Sequence, residues 1–207
     1  MSDPELAAGN ERTRHLLEEA YLAAPDGPGG SGVSGYWERK RRPLASAFDG
    51  DGSWLDVGCA NGHLLETLPG WVLADRGHHI EPSGLELLGR IAERARERLP
   101  HVAERIHPGE VMTWAHPQWY RFVTVLDDAV PPLRLEDMVR RVLDDLVEPG
   151  GRLVSSDYRR RDEPSVDRCR RLRGLGLAVA GSNEDRPPDG STGRRVTVWV
   201  DARPPVG

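Results

Sequence analysis

The stretch "WLDVGCANGHLLETL" (Trp54–Leu68) holds the residues best suited to gripping a charged ligand: Asp56, then Gly58, Cys59, Ala60 and Gly62, then His63 at the start of a helical pattern. Glycines after a buried strand let the backbone take positive φ and approach a ligand closely. The helix behind them offers free N–H groups and partial positive charge. Asp56 alters what such a turn can hold, because a carboxylate there repels a pyrophosphate and suits an ammonium group. The spacing is Asp-x-Gly-x-Ala-x-Gly, not the Gly-x-Gly-x-x-Gly of a dinucleotide site.

Other acids recur at the ends of apolar segments. Glu81 and Glu86 flank the second one, Glu110 follows Gly109, Asp127 and Asp128 follow "FVTVL", and Asp157 and Tyr158 follow "RLVSS". Asp127, Asp128 and Tyr158 are the candidates to position or deprotonate a reacting group. Cys59 and Cys169 are far apart and form no Cys-x-x-Cys, so neither a disulfide framework nor a zinc site is expected.

These groups need elements to carry them. Residues 5–24 have one apolar stripe and read as a helix; "APDGPGGSGVSG" (Ala24–Gly35) breaks periodicity and reads as a loop; Tyr36–Phe48 resumes a helical pattern. Strands are expected at Trp54–Val57, Ser83–Leu87, Ala103–His107, Phe122–Leu126, Arg152–Ser156, Leu177–Ala180 and Val196–Val200. Between them, helices are expected from Gly62 to Leu68, disturbed by Pro69-Gly70, and over Arg90–Leu99, Leu135–Leu146 and residues 164–174, with a turn at Glu148–Gly151. The last two strands have no room for a crossover helix and should pair antiparallel. The expected fold is therefore α/β: a Rossmann-like, mostly parallel seven-stranded sheet with an antiparallel C-terminal hairpin strand and helices on both faces. Residues 1–53 would form a helical cap with a Gly-rich lid, anchored at Tyr36 or Trp37, and residues 54–207 the ligand-binding domain.

Composition narrows the function. The chain has 207 residues, 38% of them hydrophobic, and a net charge of −5, which argues against a nucleic-acid footprint. No apolar run reaches the roughly 20 residues a membrane span needs. "MSDPELAAGN" lacks the charged start and apolar core of a signal peptide, so a cytoplasmic protein is expected. Lys40 is the single lysine; the arginines at 159–161, 168, 170, 171 and 173 read as a solvated helix face or a patch for an anionic partner.

Asp56, Gly58, Ala60 and Gly62 resemble the first motif of the class I S-adenosylmethionine (SAM)-dependent methyltransferases, with Ala60 in place of the usual central Gly. "VEPGGRL" resembles that family's turn before the fifth strand, and "RARERLP" its helix after the second. The resemblance spans residues 54–201 and points to the short bacterial, small-molecule type. It implies SAM as cofactor, with an acid after the second strand on the ribose hydroxyls. Glu81 and Glu86 both qualify; counting back from "RARERLP" favours Glu86, with Leu87 beside it. It also implies Glu110 and Val111 at the adenine, His63 beside the methionine moiety, and Asp127 reaching both cofactor and acceptor. Asp127 or Asp128 with Asp157 could hold Mg²⁺ as in catechol-type members, but their Asp-Asn pair is absent and no metal is expected.

The implied activity is methyl transfer to a small-molecule acceptor, by a monomer or homodimer without nucleic-acid or membrane partners. Two alternatives stand beside it: a SAM-fold binding protein that transfers no methyl group, and a nicotinamide dinucleotide oxidoreductase.

Overall fold

The computed structural model describes Glu18, Tyr21 and residues 34–116, 118–126, 130, 134–156, 168–185 and 195–203. Helix α1 (Ser34–Arg41) runs into a 3-10 helix (Arg42–Ala47), the change falling where Pro43 enters the chain. Then come β1 (Gly52–Val57), α2 (His63–Arg76), β2 (Ile80–Glu86), α3 (Gly89–Arg98), a 3-10 helix (Pro100–Arg105) and β3 (Ile106–Pro108). The rest is β4 (Tyr120–Leu126), α4 (Leu135–Asp145), β5 (Val147–Ser156), α5 (Arg168–Gly174), β6 (Val179–Asp185) and β7 (Arg195–Asp201).

The seven strands form one sheet in the order β3-β2-β1-β4-β5-β7-β6. The first five are mutually parallel, and β7 is antiparallel to both β5 and β6. Parallel strands covered on both faces are apolar throughout, and Leu55, Val57, Val123, Val125, Leu153 and Val154 are all buried. Alternation divides the core in two. Leu55, Val57, Val123 and Leu153 pack with Met138, Val139 and Val142 of α4 and Leu172 of α5. Trp54, Phe122 and Val154 pack on the other face with α2, α3 and the segment from Trp37 to Phe48. Phe48 sits 6.0 Å from Trp54 edge-on and 4.7 Å from Phe122, so the stretch before β1 belongs to that helix layer.

Five elements differ from the sequence expectation, one of them β6, which starts at Val179 and runs on to Asp185 instead of ending at Ala180. Helix α2 passes through Pro69, held by buried Leu64, Leu65, Leu68 and Val72, and stops at Gly77 in the left-handed conformation. Strand β2 passes through Pro82, because β3 pairs with β2 only from Gly84 onward; below that point the missing N–H faces an edge. The third strand is three residues long, since Pro100 begins a 3-10 turn that buries Val102. The Glu148–Gly151 turn is an excursion within β5: Tyr120 pairs with Val147 but Phe122 with Arg152. Gly151 lies so close to the chain of β4 that an added Cβ would stand 2.7 Å from the Arg121 carbonyl oxygen. Of the expected helix over residues 5–24 only Glu18 and Tyr21 are described, both helical; Ala24–Val33 lies outside the described residues.

Candidate functional site

In an open α/β sheet, ligands bind beyond the carboxyl ends of the strands where strand order reverses. Here the reversal lies between β1 and its neighbours β2 and β4. The glycine turn leaves β1 at that point. Gly58, Ala60 and Gly62 all take positive φ, at 80°, 49° and 79°, and Ala60 is the one non-glycine to do so among the described residues. The every-other-residue spacing in the motif therefore corresponds to three left-handed residues. Ala60 bears a strain of about 1–2 kcal/mol that glycine would not.

Two of the three left-handed positions differ in what surrounds them. A Cβ on Gly58 would meet nothing within 4 Å, so this residue opens onto free space. A Cβ on Gly62 would stand 3.1 Å from Leu99 Cδ1 and 3.2 Å from Ala95 Cβ, so its smallness seats α2 against α3. Cys59 is buried, and its thiol packs where a Cβ on Gly84 would come within 2.6 Å of Sγ. Burial foremost, with Glu86 and Asp56 nearby, raises the thiol's pKa well above normal. Only the backbone of Cys59 faces the turn, where the Gly58 and Cys59 N–H groups both donate to the Leu85 carbonyl, at 2.8 and 3.1 Å.

Asp56 and Glu86 bracket this turn. Asp56 is buried on β1, where Thr124 of β4 lies beside it in register. The Thr124 hydroxyl donates to Asp56 Oδ1 at 2.6 Å and accepts from Trp54 Nε1 at 3.1 Å. Burial pushes the Asp56 carboxyl up to about 7; Thr124 and the Arg41 cation oppose that rise, while Glu86 adds to it. Glu86 ends β2. Its Oε2 accepts from the Ala60 N–H and its Oε1 from the Leu88 N–H, each at 2.9 Å. Burial raises its pKa too, and the backbone donors of Leu88, Ala60 and Leu87 limit the rise. Glu81 lies at the opposite end of β2, exposed, 3.4 Å from Arg105 Nη1. Of the two candidate acids, only Glu86 stands at the carboxyl end of the sheet.

His63 opens α2 directly behind the turn. Its Nδ1 lies 3.1 Å from Arg98 Nη2, and the Arg98 Nε donates to Glu66 at 2.8 Å. Burial and then Arg98 lower the His63 pKa, so the ring is neutral, accepts at Nδ1 and carries its proton on Nε2. Trp37 of α1 stands over it, ring centres 5.2 Å apart, with the Arg41 guanidinium 5.2 Å from the indole centre on α1's side. The N-terminal helix is thus joined to the glycine turn by a Trp37–His63 contact.

The third-strand segment is more self-contained. Glu110 folds back on its own turn, Oε1 accepting from the Met112 N–H at 2.9 Å and Oε2 from the Thr113 hydroxyl at 3.2 Å. Val111 is buried against the α4 side of the sheet. Trp114 packs over Gly109 and stacks on His116 at 4.7 Å. Asp127, Asp128 and Tyr158 lie outside the described residues. No cluster that could hold a metal occurs among the described residues.

Sequence reasoning missed Thr124, Arg41 and Gly84. Thr124 is an ordinary residue inside "FVTVL", and only the β1–β4 register puts it beside Asp56. Arg41 sits in the charged run "ERKRR", where nothing in the sequence marks it off from its neighbours, yet it is buried.

No protein-family model matches the chain, and no curated protein matches it in sequence. Solved structures do match in fold. The [4+2]-cyclase SpnF aligns with a TM-score of 0.64 at 14% identity, covering 97% of each chain. The 1,6-didemethyltoxoflavin-N1-methyltransferase of Burkholderia thailandensis, solved with bound 1,6-didemethyltoxoflavin and S-adenosylhomocysteine, aligns with a TM-score of 0.61 at 14% identity, covering 98% of this chain and 92% of that one. The N-methyltransferase NodS of Bradyrhizobium japonicum WM9 aligns with a TM-score of 0.53 at 14% identity, covering 94% and 97%. The fold is that of the class I SAM-dependent methyltransferases. Among the described residues, no helix is long and apolar enough to cross a membrane.

Proposed function

We propose that this protein binds SAM at the glycine turn and transfers its methyl group to a small-molecule acceptor. The observation that carries this reading is the placement of Asp56 and Glu86 on either side of a left-handed turn that is open at Gly58. Two buried acids with raised pKa values gain when a cation and hydroxyl donors arrive beside them. SAM offers both, an α-ammonium for Asp56 and ribose hydroxyls for Glu86, whereas a pyrophosphate would face two carboxylates. Leu87 lines the ribose side, Glu110 and Val111 the adenine side, and the neutral His63 the methionine side.

The cofactor supplies an activated methyl group on a sulfonium sulfur. The chain's part is to align an acceptor in line with that bond and keep water out. The N-terminal helix covers one side through Trp37. Asp127, Asp128 and Tyr158, after the fourth and fifth strands, are the groups we assign to the acceptor, one of them taking its proton if attack requires that. A cytoplasmic location belongs to the same reading.

Isothermal calorimetry tests the cofactor: S-adenosylhomocysteine should bind and NADH should not. A second reading, cofactor binding without methyl transfer, is favoured by one observation: SpnF, which is similar in fold, is a [4+2]-cyclase. Release of S-adenosylhomocysteine from SAM across a panel of small molecules separates the two.

A further inference from the structure

The sheet's amino end, opposite the glycine turn, carries a group of charges that the proposed function does not use. Asp49 precedes β1, Arg121 is the second residue of β4, Arg152 lies on β5 and Asp201 ends the antiparallel β7. With Gly150 and Gly151 they line a cavity of about 240 Å³. That is room for roughly eight waters, or a molecule of about as many non-hydrogen atoms. The six residues of β1, at about 3.3 Å each, separate this end of the sheet from the glycine turn.

Glycines clear the space around Arg121. A Cβ on Gly52 would stand 2.9 Å from Arg121 Cβ and Cδ, so the arginine's stem lies where any larger residue would collide with it. Gly151 passes the Arg121 carbonyl as closely on the β5 side, and a Cβ on Gly150 would meet nothing within 4 Å. The Asp49–Gly52 and Glu148–Gly151 turns thus meet at Arg121, which reaches an acid of each.

The two arginines are bonded very differently. Arg152 is 12% exposed with all three nitrogens engaged: Nε donates to Asp201 Oδ1 at 2.6 Å, Nη1 to the Ala47 carbonyl at 2.7 Å and Nη2 pairs with Asp49 Oδ2 at 2.8 Å. It is a fixed strut, one cation between two anions. Among the described residues, the Arg121 guanidinium has a 3.4 Å contact from Nη2 to Asp49 Oδ1 and a 3.9 Å approach of Nη1 to Glu148. Its Nε–H is buried with no hydrogen-bond partner. A buried donor without an acceptor is destabilising, and contacts this long let the guanidinium turn toward a ligand.

Charge selects that ligand. Asp49, Asp201 and Glu148 outnumber Arg121 and Arg152, so a simple anion meets net repulsion. A simple cation leaves the Arg121 N–H without an acceptor. A molecule with both a carboxylate and an ammonium group answers both needs. Its carboxylate takes Arg121 through Nε and one Nη, the two-point geometry a guanidinium favours. Its ammonium lies against Asp201, two strands away at roughly 10 Å between backbones. We propose that this cavity is a second binding site, at the opposite end of the sheet from the glycine turn, for a small zwitterionic amino acid. It does not depend on the SAM reading.

The test titrates the full chain, isotope-labelled for NMR, with L-alanine and γ-aminobutyrate as zwitterions, and with butyrate and butylamine, which carry one of the two charges each. At least one zwitterion should shift the amide signals of Gly50, Gly52, Gly150 and Gly151 and bind more tightly than butyrate or butylamine. Arg121→Gln should weaken that binding roughly ten-fold or more, the loss expected of a charge-assisted pair. Its melting temperature should stay close to wild type, because its guanidinium makes no ion pair closer than 3.4 Å among the described residues. Asp201→Asn removes the charge but keeps an acceptor for Arg152, and should show the same loss. The proposal is overturned if neither zwitterion binds, if butyrate or butylamine binds as tightly, if the shifts fall at Gly58 and Ala60 instead, or if either folded variant binds as wild type does.

Discussion

The Glu86 carboxylate accepts a hydrogen bond from the Ala60 N–H at 2.9 Å, tying the end of β2 to the strained residue of the turn after β1. One acid thus braces the turn and, in the function proposed above, would also hold the ribose. Charge-assisted hydrogen bonds contribute about 1.5–3 kcal/mol each. Glu86→Ala should therefore weaken S-adenosylhomocysteine binding by roughly 10- to 1,000-fold, since about 1.4 kcal/mol is a factor of ten. Glu81→Ala, exposed at the far end of the strand, should leave it within two-fold. Calorimetry on both variants decides; equal loss, or loss only at Glu81, would refute the assignment.

The two glycines should fail in different ways. Gly58→Ala places a methyl in open space at positive φ, so its stability loss is limited to backbone strain of about 1–2 kcal/mol while ligand approach is blocked. Gly62→Ala adds to the same strain a collision with Ala95 and Leu99. The expected result is lost cofactor affinity with a modest drop in melting temperature for Gly58→Ala, and a clearly larger drop for Gly62→Ala. Similar melting temperatures would contradict it.

Asp56 makes both stability and binding depend on pH. Burial pushes its carboxyl up to about 7 in the fold, from 3.8 when free in water. Between those values the folded chain holds a proton that the unfolded chain has released, so this group's contribution to stability falls as pH rises from about 4 to 7. Ligand-free protein should gain melting temperature from pH 7.5 to 5.5, and Asp56→Asn should flatten that slope. An ammonium group beside Asp56 favours its ionised form, so S-adenosylhomocysteine should bind more tightly at pH 8 than at 6, with proton release near pH 6.5. Calorimetry in buffers of different ionisation enthalpy measures the release; an affinity independent of pH would count against an ammonium at Asp56.

Trp37 should behave as a core residue. It is buried with Leu44, Phe48 and Leu64 and touches His63. Trp→Ala changes in cores cost about 3–5 kcal/mol. Trp37→Ala should lower the melting temperature in a single transition, and Trp37→Phe should recover most of the loss. If thermal melts of Trp37→Ala matched wild type, the N-terminal helix would be shown to contribute nothing to the sheet's stability.

Much of this architecture was legible in the chain because its signals are local. The apolar runs at Trp54–Val57 and Phe122–Leu126 mark buried strands, and the hairpin lacking a crossover marks the antiparallel end. Asp-x-Gly-x-Ala-x-Gly marks three backbone positions that need φ > 0, which are the three the structure bends. Register back from "RARERLP" put Glu86 ahead of Glu81, and Glu86 is the last residue of β2 while Glu81 is near its start. Local signals misled where neighbours decide. Pro69 and Pro82 are breakers on their own, but buried leucines carry the first through a helix and a short β3 leaves the second an edge.

The sequence alone determined the sheet's composition, the turn that opens the site and the acids beside it, because backbone conformation and strand burial are written in residue type and spacing. Only the tertiary structure decided which groups act together. Thr124 meets Asp56, and Arg152 meets Asp201, through strand register between segments remote in sequence. Arg41 and Trp37, in a charged stretch that the sequence marks only as helical, are buried because the chain folds that stretch over the sheet. Pairings of this kind depend on distances across the fold, and no spacing along the chain encodes them.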